Sequence, residues 1–263
     1  DTPRPRPRIS LRLGALDRGG NARYLPSGHL VYLLNGVLFA APFDPDTRQL
    51  LGAALPIADN VSVTTDAHFS VADDGTLVYV VGHAVGSDAL VWVDRDGQPV
   101  ETVIENENIF GYPRLSPDGT RVALNIRGPD VWILDLERGT ETRLTEEGSN
   151  VYPIWDVDGE HVTYTASSST ARFDLFSRPA DLSGPVQPRV VSERSKNAGS
   201  WSPRDGTLMY MQGGPDTRRD IWVLPDGGEP RLFLQTPFSE GAPRRSPDGR
   251  WVALNSNRLG TAT

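Results

Sequence analysis

Four histidines, at positions 29, 68, 83 and 161, are the only imidazoles in the chain, and it contains no cysteine. Thiol nucleophiles, disulfides and Cys-ligated zinc are thereby excluded, and no two histidines stand in the His-x-x-x-His spacing of a zinc pair. There is no Gly-x-Ser-x-Gly elbow, no Gly-rich phosphate loop ahead of a lysine strand, and no His-Arg-Asp or Asp-Phe-Gly. These residues therefore encode neither that type of serine hydrolase nor a kinase-type phosphoryl-transfer site. Asp118, Asp158, Asp205 and Asp248 each precede a glycine, but without the Asp-x-Asp-x-Asp-Gly run and distal Glu of a calcium loop. A carboxylate repeated at one turn position is what a turn cap looks like. The remaining candidates are cationic and aromatic. Arg23, Arg114 and Arg244 each stand five residues before a turn glycine. Three guanidiniums at one structural position would create a local positive field in an acidic chain, and their planar fork fits carboxylate or phosphate. The same arginines could instead pair with Asp and Glu of neighbouring units. His68, Tyr112 and Tyr152 are the other groups able to join them. The candidate binding set is thus Arg23, Arg114, Arg244, His68, Tyr112 and Tyr152, with no catalytic residue, metal ligand or cofactor assigned.

The elements that must position this set are repeated. Turns of similar spelling recur at Pro26-Ser-Gly28, Asp73-Asp-Gly75, Ser116-Pro-Asp-Gly119, Asp156-Val-Asp-Gly159, Ser202-Pro-Arg-Asp-Gly206 and Ser246-Pro-Asp-Gly249. Their glycines are 47, 44, 40, 47 and 43 residues apart, a period that belongs to blade-like repeats. Each turn leads into an apolar run such as Leu77-Val-Tyr-Val-Val81 or Leu208-Met-Tyr-Met211, and in five units a second run follows, for example Val131-Trp-Ile-Leu134 or Ile221-Trp-Val-Leu224. Short runs rich in Val, Tyr, Trp and Leu between Gly, Pro and Asp read as strands, and Asp-Gly supplies the positive φ of a tight hairpin. Gly and Pro together make close to a fifth of the chain, against a usual ~12%, which disfavours a helical bundle. The expected fold is all-β: a six-bladed β-propeller of four-stranded antiparallel blades, the sixth blade incomplete or closed by an N-terminal strand at 9–13. Residues 1–8 read as a Pro/Arg linker and 9–263 as one propeller, with blades at about 21–65, 66–109, 110–149, 150–196, 197–239 and 240–263. The first strands place Tyr24, Val71, Leu115, Trp155, Trp201 and Arg245 as wedges between blades. Arg23, Ser70, Arg114, Ile154, Ser200 and Arg244 fall on the opposite side of those strands.

Twenty-six basic against 34 acidic residues leave a net charge of −8, which argues against a nucleic-acid partner, since that needs a basic face. No window approaches the ~20 apolar residues of a transmembrane helix. The chain starts without Met and stops without a closing apolar strand, which suggests a piece of a longer protein.

The spelling Tyr112-Pro-Arg-Leu-Ser-Pro-Asp-Gly-Thr-Arg-Val-Ala123, then Asp130-Val-Trp-Ile-Leu-Asp135 and Thr142-Arg-Leu-Thr145, closely resembles the TolB-type (WD40-like) propeller repeat, and the span from about 21 to 257 fits it. Arg23-Tyr-Leu-Pro-Ser-Gly-His-Leu-Val-Tyr32 with Leu38-Phe-Ala-Ala-Pro-Phe-Asp44 further resembles the propeller that follows the kinase domain in some bacterial eukaryotic-like Ser/Thr kinases. That resemblance implies an extracytoplasmic or periplasmic sensor. The expected partner is a protein, a peptide or a small anionic ligand at the propeller mouth, bound by a monomer that makes no membrane contact of its own. A propeller enzyme, such as a polysaccharide lyase or hydrolase with an axial site, and a structural scaffold are the alternatives.

Overall fold

The computed structural model describes residues 20–257, apart from 35, 48, 62–67, 73–74, 82–87, 95–97, 107–109, 127, 168–171 and 215–218. Every regular element among them is a strand. The first sheet contains β1 (Gly20–Tyr24), β2 (His29–Leu34) and β3 (Val37–Asp44), with the outer place shared by β4 (Gln49–Leu50) and β5 (Leu55–Ala58), which both pair with β3. The second runs β6 (Phe69–Val71), β7 (Leu77–Val81), β8 (Asp88–Val93), β9 (Pro99–Asn106). The third is β10 (Phe110–Leu115), β11 (Arg121–Ile126), β12 (Val131–Asp135), β13 (Thr140–Arg143). The fourth is β14 (Ser149–Trp155), β15 (His161–Ser167), β16 (Asp174–Pro179), β17 (Gln187–Val190). The fifth is β18 (Lys196–Trp201), β19 (Leu208–Gln212), β20 (Asp220–Leu224), β21 (Arg231–Leu234). A last sheet pairs β22 (Glu240–Arg245) with β23 (Val252–Ser256). All these pairings are antiparallel and, apart from β5 on β3, join consecutive strands, the up-and-down order of a propeller blade.

The described residues thus form five full blades, not the expected six. The sixth sheet has two strands among them, because the residues after Asn257, like the 9–13 segment expected at its edge, lie outside the described set, as do the 1–8 linker and His83. It still packs on the first blade: β1 lies against β22 and β23, and Arg250 donates to Asp46 at 3.1 Å.

Alternation within each second strand explains why these runs are apolar throughout. In β7, Leu77 and Tyr79 pack toward the first blade, while Val78 and Val80 pack toward the third. In β19, Leu208 and Tyr210 face the fourth blade, and Met209 and Met211 face the sixth sheet. A strand covered on both faces has no polar side, so both parities must be hydrophobic. The core is therefore a set of layers between blades, and no blade buries its own apolar surface alone.

The acidic turns behave as caps. Asp118 accepts from the Ser116 hydroxyl at 2.5 Å and the Thr120 amide at 3.1 Å, and Asp248 from Ser246 and the Arg250 amide in the same way. The extra residue in the fifth blade widens its turn: Gly206 N–H reaches Ser202 O four residues back, where Gly119 N–H reaches Ser116 O three back.

Candidate functional site

The first strand of five sheets is interrupted just before the arginine position or its equivalent. Pairing slips between Gly20 and Arg23, Gly111 and Arg114, Val151 and Ile154, Ala198 and Ser200, and Gly241 and Arg244. In three of these bulges the residue before a proline has positive φ: Tyr112 (52°), Tyr152 (55°) and Ala242 (45°), ahead of Pro113, Pro153 and Pro243. A β-bulge inserts an unpaired residue and re-aims its side chain. The left-handed region costs a bulky residue roughly 1–3 kcal/mol, so it persists only where the surroundings impose it.

The result is an aromatic arc across three blades. The His68 and Tyr112 rings meet edge to face with centroids 4.9 Å apart, and Tyr112 and Tyr152 meet at 4.4 Å with a 49° tilt. His68 is 2% exposed, and both tyrosines are half-buried. A Cβ built on Gly111 would lie 3.8 Å from the His68 ring, an ordinary van der Waals contact, so the imidazole sits beside the backbone of the third blade. Burial, reinforced by the nearby Arg114 charge, pushes the His68 pKa down from 6.5 to about 4. His68 is therefore neutral near pH 7.

The arginines work as clamps between blades. Arg114, 8% exposed, donates from Nη1 to Phe69 O at 3.3 Å and to Pro113 O at 2.8 Å. Arg23 reaches the same Phe69 carbonyl from the other side, at 2.8 Å, with its guanidinium 4.6 Å from the Phe69 ring centroid. Arg244 repeats the motif on the far wall, donating to Gly199 O and Pro243 O. In both places a serine answers: Ser70 Oγ accepts from Leu115 N, and Ser200 Oγ from Arg245 N, each at 3.2 Å. All three arginines donate to backbone carbonyls, those of the neighbouring blade and, for Arg114 and Arg244, of the proline beside them. Of the six candidates, the structure brings together His68, Tyr112 and Tyr152, with Arg114 behind them and Arg23 beside Arg114. Arg244 belongs to a different wall, against the fifth blade.

Other candidates resolve into architecture. Trp155 donates its indole N–H to Arg114 O at 2.9 Å and carries Arg121 over its ring at 4.7 Å, as a wedge should. Arg245 reaches back to Ser202 and Asp205 of the fifth blade, at 3.5 and 3.9 Å. His29 contacts Ser27 and His161 contacts Asp158, both within their own turns. Sequence reasoning missed the bulge. Its one visible signal was Tyr-Pro or Ala-Pro at the same place in three repeats.

By architecture the molecule is a β-propeller: antiparallel four-stranded blades around one axis, with a bulged inner strand facing it. No family model matches the chain. It is 24% identical over 147 residues to an uncharacterized protein, Atu1656, of Agrobacterium fabrum, covering 54% of this chain and 49% of that protein. It is 30% identical over 120 residues to a TolB homolog of Chlorobaculum tepidum, covering 44% of this chain and 27% of that protein. The chain thus spans about half or less of the length of these curated relatives. Among solved structures it superposes on a candidate TolB from Agrobacterium tumefaciens with a TM-score of 0.70 at 18% identity, over 92% of this chain and 91% of that one. An oligogalacturonate lyase in complex with manganese matches with a TM-score of 0.61 at 15% identity, over 89% of this chain and 73% of that one. The chain's fold is that of a TolB-type β-propeller.

Proposed function

We propose that this propeller is a non-catalytic binding module, a part of a larger envelope or signalling protein, that holds a peptide, a protein segment or a small anionic ligand against the aromatic arc. The observation that carries this reading is the pair of tyrosines held at positive φ in adjacent blades. Two bulky residues in an unfavourable conformation, their rings tilted against one another and Tyr112 edge to face with a buried histidine, are more than packing requires. Their half-exposed faces offer flat apolar surface, and Arg114 lies behind them. The TolB-type likeness supports a binding role.

The test is a thermal-shift series with citrate, a hexaglutamate peptide, benzoate and benzamide on the wild-type chain and on Tyr112→Ala/Tyr152→Ala. At least one probe should raise the wild-type midpoint and leave the double variant unmoved. Equal shifts in both proteins, or none in either, would remove the arc as a binding site. Turnover of oligogalacturonate by the purified chain would instead favour the enzyme reading.

A further inference from the structure

The fourth blade departs from the turn spelling of its neighbours. Where three other units place Ser116, Ser202 and Ser246, it carries Asp156. Ser116 and Ser246 bond the aspartates of their own turns, whereas Asp156 turns inward and is 5% exposed. There it accepts from the Thr163 hydroxyl at 2.6 Å and from Arg189 Nη2 at 3.1 Å. Burying a carboxylate is costly unless it is paired and hydrogen-bonded, so this blade devotes a buried charge to fixing one guanidinium. The hydrogen bonds of Arg189 all run from Nη2, to Asp156 and to Ser177. Nη1 donates to no described residue, and 32% of the side chain is exposed.

That guanidinium forms one wall of a recess of about 210 Å³ between the fourth and fifth blades. Trp201 lies beside it, with Arg189 Cζ 5.9 Å from its ring centroid, and Pro188, Leu224 and Pro225 complete an apolar lining. Asp226, exposed on the turn between β20 and β21, supplies the carboxylate of the lining. Arg189 pairs with Asp156 rather than with Asp226, and Asp226 forms no ion pair among the described residues. A fixed cation and a separate anion thus face one apolar recess without neutralising each other. The recess has no residue in common with the aromatic arc.

These features select a ligand class. A simple anion drawn to Arg189 would meet Asp226, and a simple cation drawn to Asp226 would meet Arg189. A neutral apolar molecule would fill the lining and desolvate both charged groups without partnering either. We infer that this recess binds a free amino acid with an apolar side chain, its carboxylate on Arg189 Nη1, its ammonium on Asp226 and its side chain against Trp201 and the two prolines. Guanidinium N–H groups match a carboxylate, and the indole offers a large apolar surface.

Titration calorimetry tests this with L-phenylalanine, L-leucine and three analogues that each delete one feature. L-Phenylalaninamide lacks the carboxylate, N-acetyl-L-phenylalanine lacks the ammonium, and glycine lacks the apolar body. Phenylalanine or leucine should bind at least tenfold more tightly than any of the three. Asp226→Asn, on an exposed turn, should weaken the better amino acid at least fivefold without weakening N-acetylphenylalanine. Arg189→Gln should weaken the same amino acid and spare the amide. Should Arg189→Gln not fold, because it leaves Asp156 buried without its cation, Asp226→Asn and the analogues on the wild-type chain carry the test. Binding of N-acetylphenylalanine or the amide as tight as that of phenylalanine and leucine would overturn the zwitterion assignment. No binding of either amino acid, or binding undiminished in Asp226→Asn, would overturn the site. Neither result bears on Tyr112 and Tyr152, which the thermal-shift series judges separately.

Discussion

Lowering the pH from about 7 to about 4 is expected to weaken this ring through His68. The imidazole is 2% exposed, and its pKa is pushed from 6.5 to about 4 by burial first and by Arg114 second. In the unfolded chain the same histidine takes up its proton near 6.5, so between 6.5 and about 4 the unfolded state binds more protons than the folded one. The stability this group contributes is thus complete above pH 6.5 and is lost as the pH falls toward 4. A difference of roughly 2.5 units corresponds to a loss of about 2 kcal/mol by pH 5 and about 3 kcal/mol at pH 4. The perturbation that isolates it is His68→Phe, which keeps a ring against Tyr112 and removes the titration. The assay is urea denaturation of both proteins at half-unit pH steps, comparing slopes of stability against pH rather than absolute values, since the variant also changes packing. Asp118 and Asp205, held below the ordinary carboxylate range chiefly by the Ser116 and Ser202 hydroxyls, lose their contribution only as the pH falls below about 3.8, outside this window. Asp156, which burial pushes up despite the Thr163 hydrogen bond and the Arg189 charge, titrates in both proteins and cancels in the comparison. Parallel wild-type and variant curves between pH 6.5 and 4 would refute the reasoning.

Two further perturbations probe the layers between blades. Tyr210 is fully buried with its hydroxyl unpartnered among the described residues, and burial pushes its pKa up to about 12; Tyr210→Phe should therefore raise stability by about 1 kcal/mol in urea denaturation, and a loss would show that the hydroxyl has a partner. Gly199 has no room for a methyl group, since a Cβ there would lie 2.6 Å from Met209 O and 2.7 Å from Pro243 Cγ. Gly199→Ala should cost about 1–3 kcal/mol or more and loosen the Arg244 clamp on the Gly199 carbonyl, read as a lowered denaturation midpoint; an unchanged midpoint would mean the strand shifts freely.

What could be read from the residues alone is what local chemistry decides. Ser-Pro-Asp-Gly turns cap themselves through contacts two to five residues long, so Asp118 and Asp248 were legible as structural carboxylates. Runs such as Leu208-Met-Tyr-Met211 announced strands covered on both faces, and their spacing announced blades. The six candidate residues were found because type and repeat position singled them out. Their partners were not, because the arginines bind main-chain carbonyls 45 or 46 residues away, and a carbonyl carries no residue-type signal. The extended or left-handed choice at Tyr112 and Tyr152 is likewise invisible in a dipeptide: each Tyr-Pro would be extended in isolation, and only the neighbouring blades, pressing three aromatic rings together, hold two of those residues where they would not otherwise stay.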